Sequence, residues 1–191
     1  PSDHYIIEGT TSQSEGYYYL YKGYELVDSA QIVNGKYHFE GQIDALIPTR
    51  NISSAKLNNP WIAPRFASII LERGVIKVAD DDSSVTGGLT VGGTKGNRAL
   101  HNFAVKGNEI QQAAEYAFLP EQREELAEQY AKLVTKTIER NFDNFASLYL
   151  LSASGDRYSD SQMAEYLDRL SPAMQRTTAA QILRERIQTD N

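Results

Sequence analysis

The sequence predicts an α+β fold: an antiparallel β-sandwich or barrel-like sheet over residues 1–94, then an all-helical segment of about five helices over 95–191. Three observations carry the prediction. Before Val91-Gly92-Gly93-Thr94-Lys95-Gly96-Asn97, apolar residues alternate singly over short stretches bounded by Gly, Asn, Asp and Pro, which is the period of a half-buried strand. After it they recur every three or four residues, the period of a helix. Strands first and helices second is the order of a segregated, two-layer domain.

The elements follow in order. Tyr5-Ile6-Ile7 is a short strand ending at Gly9, and Tyr17-Tyr18-Tyr19-Leu20-Tyr21 is an aromatic-rich one. Leu26 to Val33 and Lys36 to Ile43 flank Asn34-Gly35, whose two residues accept the positive φ of a type I′ turn, so a hairpin is expected there. In its return strand Tyr37, Phe39 and Gly41 alternate with His38, Glu40 and Gln42, giving one apolar and one wet face. A second hairpin is expected at Arg73-Gly74, joining Ala67–Glu72 to Val75–Ala79. Residues 58–64 hold two prolines and must be irregular. Asp80-Asp81-Asp82-Ser83-Ser84 reads as a solvated turn, and Val85 to Val91 as a source of one more strand.

In the second half, Ile110, Ala113, Ala114, Ala117 and Phe118 fall on one helical stripe. Pro120 suits a first helical position, with Glu121, Glu124 and Glu125 near the positive end of the dipole. Leu126, Tyr130, Leu133, Val134, Thr137 and Ile138 form the next stripe. Phe145 to Leu151 is apolar nearly all round, which predicts a buried helix stopped near Gly155. Ser159 with Gln162 fits a capping box, and Ser171-Pro172 restarts the chain as a last helix carrying Ile182, Leu183 and Ile187.

Composition narrows the function. A chain of 191 residues buries roughly 70% of its unfolded surface, so a core needs no staple. The net charge is −6 and neither half is basic, so no nucleic-acid partner is expected. There is no cysteine, hence no disulfide, thiolate nucleophile or Cys-ligated zinc. The longest apolar run, residues 66–71, is far short of the ~20 residues that span a bilayer. The chain opens at Pro1 rather than Met, so a removed N-terminal segment such as a signal peptide is expected.

No motif names a reaction. Gly88 to Gly93 has the glycine spacing of a phosphate loop, but Thr94-Lys95 stands where the chemistry needs Lys and then Ser or Thr. Asp80, Asp82 and Ser84 imitate the first ligands of a calcium loop, yet Val85 and Val91 replace its glycine and distal glutamate. His4, His38 and His101 match no metal spacing, and no G-x-S-x-G elbow presents a nucleophile. The expectation is therefore no catalytic, metal or cofactor site. The tyrosines are the candidate surface: Tyr17, Tyr19 and Tyr21 should share one strand face, opposite Tyr18 and Leu20, with Tyr24 and Trp61 near in sequence. Exposed aromatics of this kind stack on sugars or anchor a protein partner, whereas a buried face would make them core.

The ordered set Tyr5-Ile6-Ile7-Glu8-Gly9, Tyr19-Leu20-Tyr21, Asp28-Ser29-Ala30, Asn34 to Gly41, Ile70 to Ile76 and Val91 to Asn97 resembles the bacterial family known as domain of unknown function 4369, over about residues 4–100. The resemblance implies a β-rich domain that opens secreted or lipid-anchored proteins of Gram-negative bacteria. Asn141 to Phe145, Leu150-Leu151 and Ser159 to Pro172 resemble the helical connector that follows it in relatives, with Phe145 where they often carry proline. In those relatives a TlpA-like thioredoxin domain with a C-x-x-C motif comes next. The chain stops at Asn191, about where it would begin, so either the native protein continues or this member lacks it. The resemblance thus implies a non-catalytic module of the periplasm or outer envelope, anchored through a removed N-terminal lipid signal if anchored at all. Its partner would be a protein or an attached thioredoxin-like domain. The residues alone also allow a stand-alone glycan- or peptide-binding protein using the tyrosine-rich face.

Overall fold

The computed structural model describes residues 3–189, which form two compact units. One comprises the chain up to Asp44 with Pro48–His101; the other comprises Ala45–Ile47 and the chain from Asn102 onward. The expectations at Pro1 and Asn191 fall outside the described residues.

The first unit is β-rich. Its strands are β1 (His4–Thr10), β2 (Tyr17–Lys22), β3 (Glu25–Gln31), β4 (Lys36–Gln42), β5 (Thr49–Ser53), β6 (Phe66–Ile70), β7 (Val75–Asp80) and β8 (Leu89–Gly92). They make two four-stranded sheets, ordered β4-β1-β7-β8 and β3-β2-β5-β6. Every neighbouring pair is antiparallel except β1 and β7, which run parallel. Parallel neighbours need a long crossover, and here the chain between them carries the whole second sheet.

Both expected hairpins turn out to be bridges between sheets. Asn34 and Gly35 do have positive φ, 52° and 72°, and Val33 and Lys36 bridge across them. Beyond that bridge the strands part, β3 to β2 and β4 to β1. The next backbone bonds go elsewhere: Thr11 N–H donates to the Gly35 carbonyl and Ile32 N–H to that of Gly16. Arg73-Gly74 likewise links β6 of one sheet to β7 of the other. Turn chemistry fixes the local reversal, not the partner of the strand that leaves it. True hairpins form at β2–β3, where Lys22 stands opposite Glu25 across Gly23-Tyr24, and at β7–β8, closed by Asp80 opposite Leu89 and containing a 3-10 turn at Ser84–Thr86.

The core lies between the sheets, where Ile7, Tyr18, Leu20, Phe39, Ile52, Ile69 and Ile76 are almost wholly enclosed. Tyr18 stacks on Tyr37 with ring centroids 4.0 Å apart, and Tyr37 meets Phe39 edge-on. Gly9 stands opposite Tyr37 in the β1–β4 register, and a Cβ there would lie 1.9 Å from the ring. Only glycine allows the aromatic ring to cover the neighbouring strand so closely. The Tyr37 hydroxyl is buried with no hydrogen-bond partner among the described residues.

α1 (Lys95–Glu115) starts in this unit. β6 is an edge strand, and Asn97 closes its end: Ile70 N–H donates to Asn97 Oδ1 (2.9 Å), and Asn97 Nδ2 donates to the Ile70 carbonyl (2.8 Å). Glu72 accepts from the Thr94 hydroxyl (2.6 Å) and from the N–H groups of Gly96 and Asn97, three donors at the start of the helix. Gly93, at φ 86°, passes so close to Val75 that a Cβ would sit 2.1 Å from its carbonyl oxygen.

The second unit is helical. After α1 come α2 (Pro120–Glu139), α3 (Phe145–Ala153), α4 (Asp160–Arg169), α5 (Pro172–Gln175) and α6 (Thr178–Thr189). The expected last helix is split in two by Thr177, fully buried, whose Oγ1 donates to the Met174 carbonyl and accepts from Ala180 N–H. Phe118 falls off the predicted stripe: α1 ends at Glu115, short i−3 bonds close residues 113–117, and Phe118 is 89% exposed. α3 is buried nearly all round, and Ser159 with Gln162 forms the capping box. Thr178 N–H donates to the Leu46 carbonyl, tying Ala45–Ile47 to this unit.

Two outcomes follow. Asn97→Ala strands the N–H and carbonyl of Ile70 and should cost about 2–4 kcal/mol in urea unfolding, with Asn97→Asp giving no rescue because it cannot donate. The exposed Gln112→Ala on the same helix should stay within about 0.5 kcal/mol. Tyr37→Phe removes an unsatisfied buried hydroxyl and should leave stability unchanged or raise it by up to about 1–2 kcal/mol in the same assay.

Candidate functional site

The period-2 geometry of β2 does separate its tyrosines. Tyr18 and Leu20 point into the core and are fully buried. Tyr17 and Tyr19 lie outward, with ring centroids 6.5 Å apart, Tyr17 at 44% exposure and the Lys56 ammonium 5.9 Å from the Tyr19 ring centre. Tyr21 has their parity against β5 but is only 5% exposed. Its hydroxyl accepts from the N–H of Leu57, so it is covered by the β5–β6 connection.

That connection, residues 54–65, is a closed loop of the Ω type. Ser54 N–H donates to the Arg65 carbonyl, and Arg65 N–H to the Ser54 hydroxyl, both at 2.9 Å, so its ends are pinned together. At its tip Asn59 Oδ1 accepts from Trp61 N–H, an Asx turn that leaves the indole 92% exposed beside a half-exposed Ile62. Tyr24 sits on the β2–β3 turn at 95% exposure. Thus Tyr17 and Tyr19 come together, Tyr21 anchors the loop that carries Trp61, and Tyr24 stands on a separate turn. Among the described residues no ring contact joins Tyr24 or Trp61 to the Tyr17–Tyr19 pair.

The acidic segment after β7 is less free than its sequence implies. Asp80 accepts from the Thr11 hydroxyl, the Ser12 N–H and hydroxyl, and the Tyr18 hydroxyl. Arg65 spans the segment: it donates to the carbonyls of Asp81 and Gly88, pairs with Asp82 at 3.0 Å and lies 3.8 Å from Asp80. Asp81 is occupied by Ser83 N–H and the Thr86 hydroxyl. The side chain of Ser84, the third imitated calcium ligand, lies outside the described residues. Partial burial pushes the Asp80 carboxyl up, but the Ser12 and Thr11 hydrogen bonds and Arg65 together outweigh it and leave its pKa below the ordinary value. Burial pushes the Tyr18 hydroxyl up to about 12, so it serves as a neutral donor to Asp80. This hub was missed in the sequence because its partners come from the β1–β2 connection, β2 and the Ω loop.

The outer face of the other sheet holds a second feature, a groove of about 600 Å³ whose lining includes Glu8, Thr10, Val33, Lys36, His38 and Lys77. Lys77 hydrogen-bonds Glu8 at 2.9 Å and holds that carboxyl below its usual range. His38 pairs with Glu40 at 3.1 Å, while His4 and His101 lie apart from it. Among the described residues no three His, Cys, Asp or Glu side chains gather to hold a metal ion, and no helix is long and apolar enough to cross a membrane. These surfaces present aromatic faces, a few cations and hydrogen-bonded carboxylates.

A family model described as Domain of unknown function (DUF4369) matches residues 5–100. No curated protein and no solved structure matches the chain. The matched stretch holds both sheets, the Asp80 hub, the Ω loop and the Asn97 closure.

Asp80→Asn should destabilise the chain by about 1–3 kcal/mol near neutral pH. Because the folded carboxyl has the lowered pKa, its contribution is present above the unfolded value and is lost as pH falls through the folded one. The wild-type advantage in urea unfolding should therefore shrink below about pH 4.

Proposed function

The chain belongs to the DUF4369 family, and from that premise we propose that it is a non-catalytic module of the bacterial cell envelope, the accessory or recognition half associated with a thiol–disulfide oxidoreductase. It works by docking, orienting a thioredoxin-like domain or its client in the periplasm or at the outer envelope, any membrane anchor being an N-terminal lipid. One observation carries the reading: Trp61 and Tyr24 are held on well-tied loops at 92% and 95% exposure. Large aromatics kept in water on a pinned loop and a tight turn, rather than buried, suit a partner-contacting surface. Residues 1–191 hold no cysteine, so thiol chemistry in such an assembly comes from an attached thioredoxin-like domain or a separate protein.

A second reading, a glycan- or peptide-binding protein, draws on a different detail. Tyr17 and Tyr19 form an outward pair on a sheet face with Lys56 beside them, a platform on which a sugar ring or an extended peptide can rest.

The purified chain should show no insulin-reducing activity above buffer; measurable reduction would end the docking reading in this form. A reduced TlpA-like thioredoxin domain used as the probe should bind, and Tyr24→Ser with Trp61→Ser should weaken it at least ~10-fold with little change in melting temperature. Retention on a glycan array that depends on Tyr17 and Tyr19, with no binding of the thioredoxin probe, would select the second reading.

A further inference from the structure

α1 and α2 form a helical hairpin with one side left open. In α1, Lys106, Ile110 and Ala113 follow one another at three- and four-residue steps, with Ala117 just past its end; in α2, Leu126, Gln129, Leu133 and Lys136 do the same. Residues so spaced lie along one helix face. Two grooves of about 440 and 360 Å³ open between the two rows and share Gln129, so they form one continuous trough. Half-buried Ile110 and Leu133 make the far part of its floor apolar, while Gln122 and Glu125 beside Leu126 make the part near the turn mixed. A seam of this kind is what one pair of helices presents before a second pair covers it.

The charges around the trough are segregated by position. In the half next to the α1–α2 turn Glu125 lines the trough, with Glu115, Glu121, Glu124 and Glu128 on the same stretch of chain and Arg123 the basic residue among them. The far half is lined by Lys106, Lys132 and Lys136 against Glu109, with Lys132 also 3.7 Å from Glu128 where the two halves meet. The turn itself exposes Tyr116, Phe118 and Leu119 at 76%, 89% and 55%.

We propose that the trough is covered by a second copy of this chain, the two hairpins lying antiparallel about a two-fold axis near Gln129. Each aromatic turn, with its glutamates, then sits on the lysines of the other copy. An isologous interface needs a patch that complements itself after a half-turn, and this charge order does so. An acidic partner is repelled by the turn half and a basic one by the far half, whereas the same hairpin reversed satisfies both. Gln129, on the axis, both donates and accepts, so it can pair with its own copy. The inference concerns the helical unit and stands apart from the aromatic recognition surface.

The test is a charge swap read by analytical ultracentrifugation of the full chain. Wild type should sediment as a dimer at micromolar concentration and dissociate as salt rises. Glu124→Lys, Glu125→Lys, Glu128→Lys in one variant, and Lys106→Glu, Lys132→Glu, Lys136→Glu in another, should each weaken the dimer at least ~10-fold. An equimolar mixture of the two should recover it, because each reversed half then faces its complement. Circular dichroism confirms that both variants keep their helices. A wild-type chain that stays monomeric at ~100 μM, or a mixture that does not reassociate, overturns the proposal and leaves the trough to a different partner.

Discussion

The side-chain amide of Asn97 ends a sheet and begins a helix at once. Its oxygen and nitrogen satisfy the outward N–H and carbonyl of Ile70, standing in for the strand that β6 lacks. Two residues on, Glu72 receives the donors of the first turn of α1, a carboxylate placed where the helix dipole favours it. Thr94 links the two, donating to Glu72 and accepting from Asn97. None of this closes unless the chain passes beneath the Val75 carbonyl at Gly93. The order Gly-Gly-Thr-Lys-Gly-Asn therefore has a physical content: close approach, donor, then a bidentate amide. The strand-to-helix switch is a hydrogen-bonded lock rather than a flexible join.

Much of this was legible in the sequence wherever one residue type sufficed. Period 2 and period 3.6 located the halves, Asn34-Gly35 gave the positive-φ turn, and Ser159 with Gln162 gave a cap. Strand partners were not legible. A turn between two paired strands and a turn between two sheets demand the same residues, so β3–β4 and β6–β7 read as hairpins. The break at Thr177 was hidden for a similar reason: a buried threonine bonding to backbone on both sides looks like any mid-helix threonine until the burial is known.

The candidate surface shows the same limit more sharply. Alternation in Tyr17-Tyr18-Tyr19-Leu20-Tyr21 correctly assigns faces, but exposure depends on what folds back over a face. Tyr21 shares the outward parity and is nonetheless enclosed, because a loop 30-odd residues later rests on its hydroxyl. Asp80 is the converse: in a run of aspartates it looked solvated, yet its acceptors are filled by groups 62 to 69 positions away. Such contacts are a product of topology, and no local pattern encodes them.

The polar groups of the β-rich unit are thus largely consumed in holding connections still. Asp80 ties the β1–β2 connection to β7, Arg65 clasps the β7–β8 turn, and Tyr21 with Ser54 pins the Ω loop. A loop so pinned loses little further entropy when its exposed indole meets a partner, which is the main cost that weakens binding by flexible segments. The helical hairpin is built on another principle, a partly apolar trough with Glu125 towards the turn and Lys106, Lys132 and Lys136 at its far end. Contacts through Trp61 and Tyr24 rest on apolar area and should tolerate salt, whereas those along α1 and α2 should weaken with it. One chain thereby carries two surfaces whose occupancy responds to different conditions, and ionic strength alone distinguishes which of them a given partner uses.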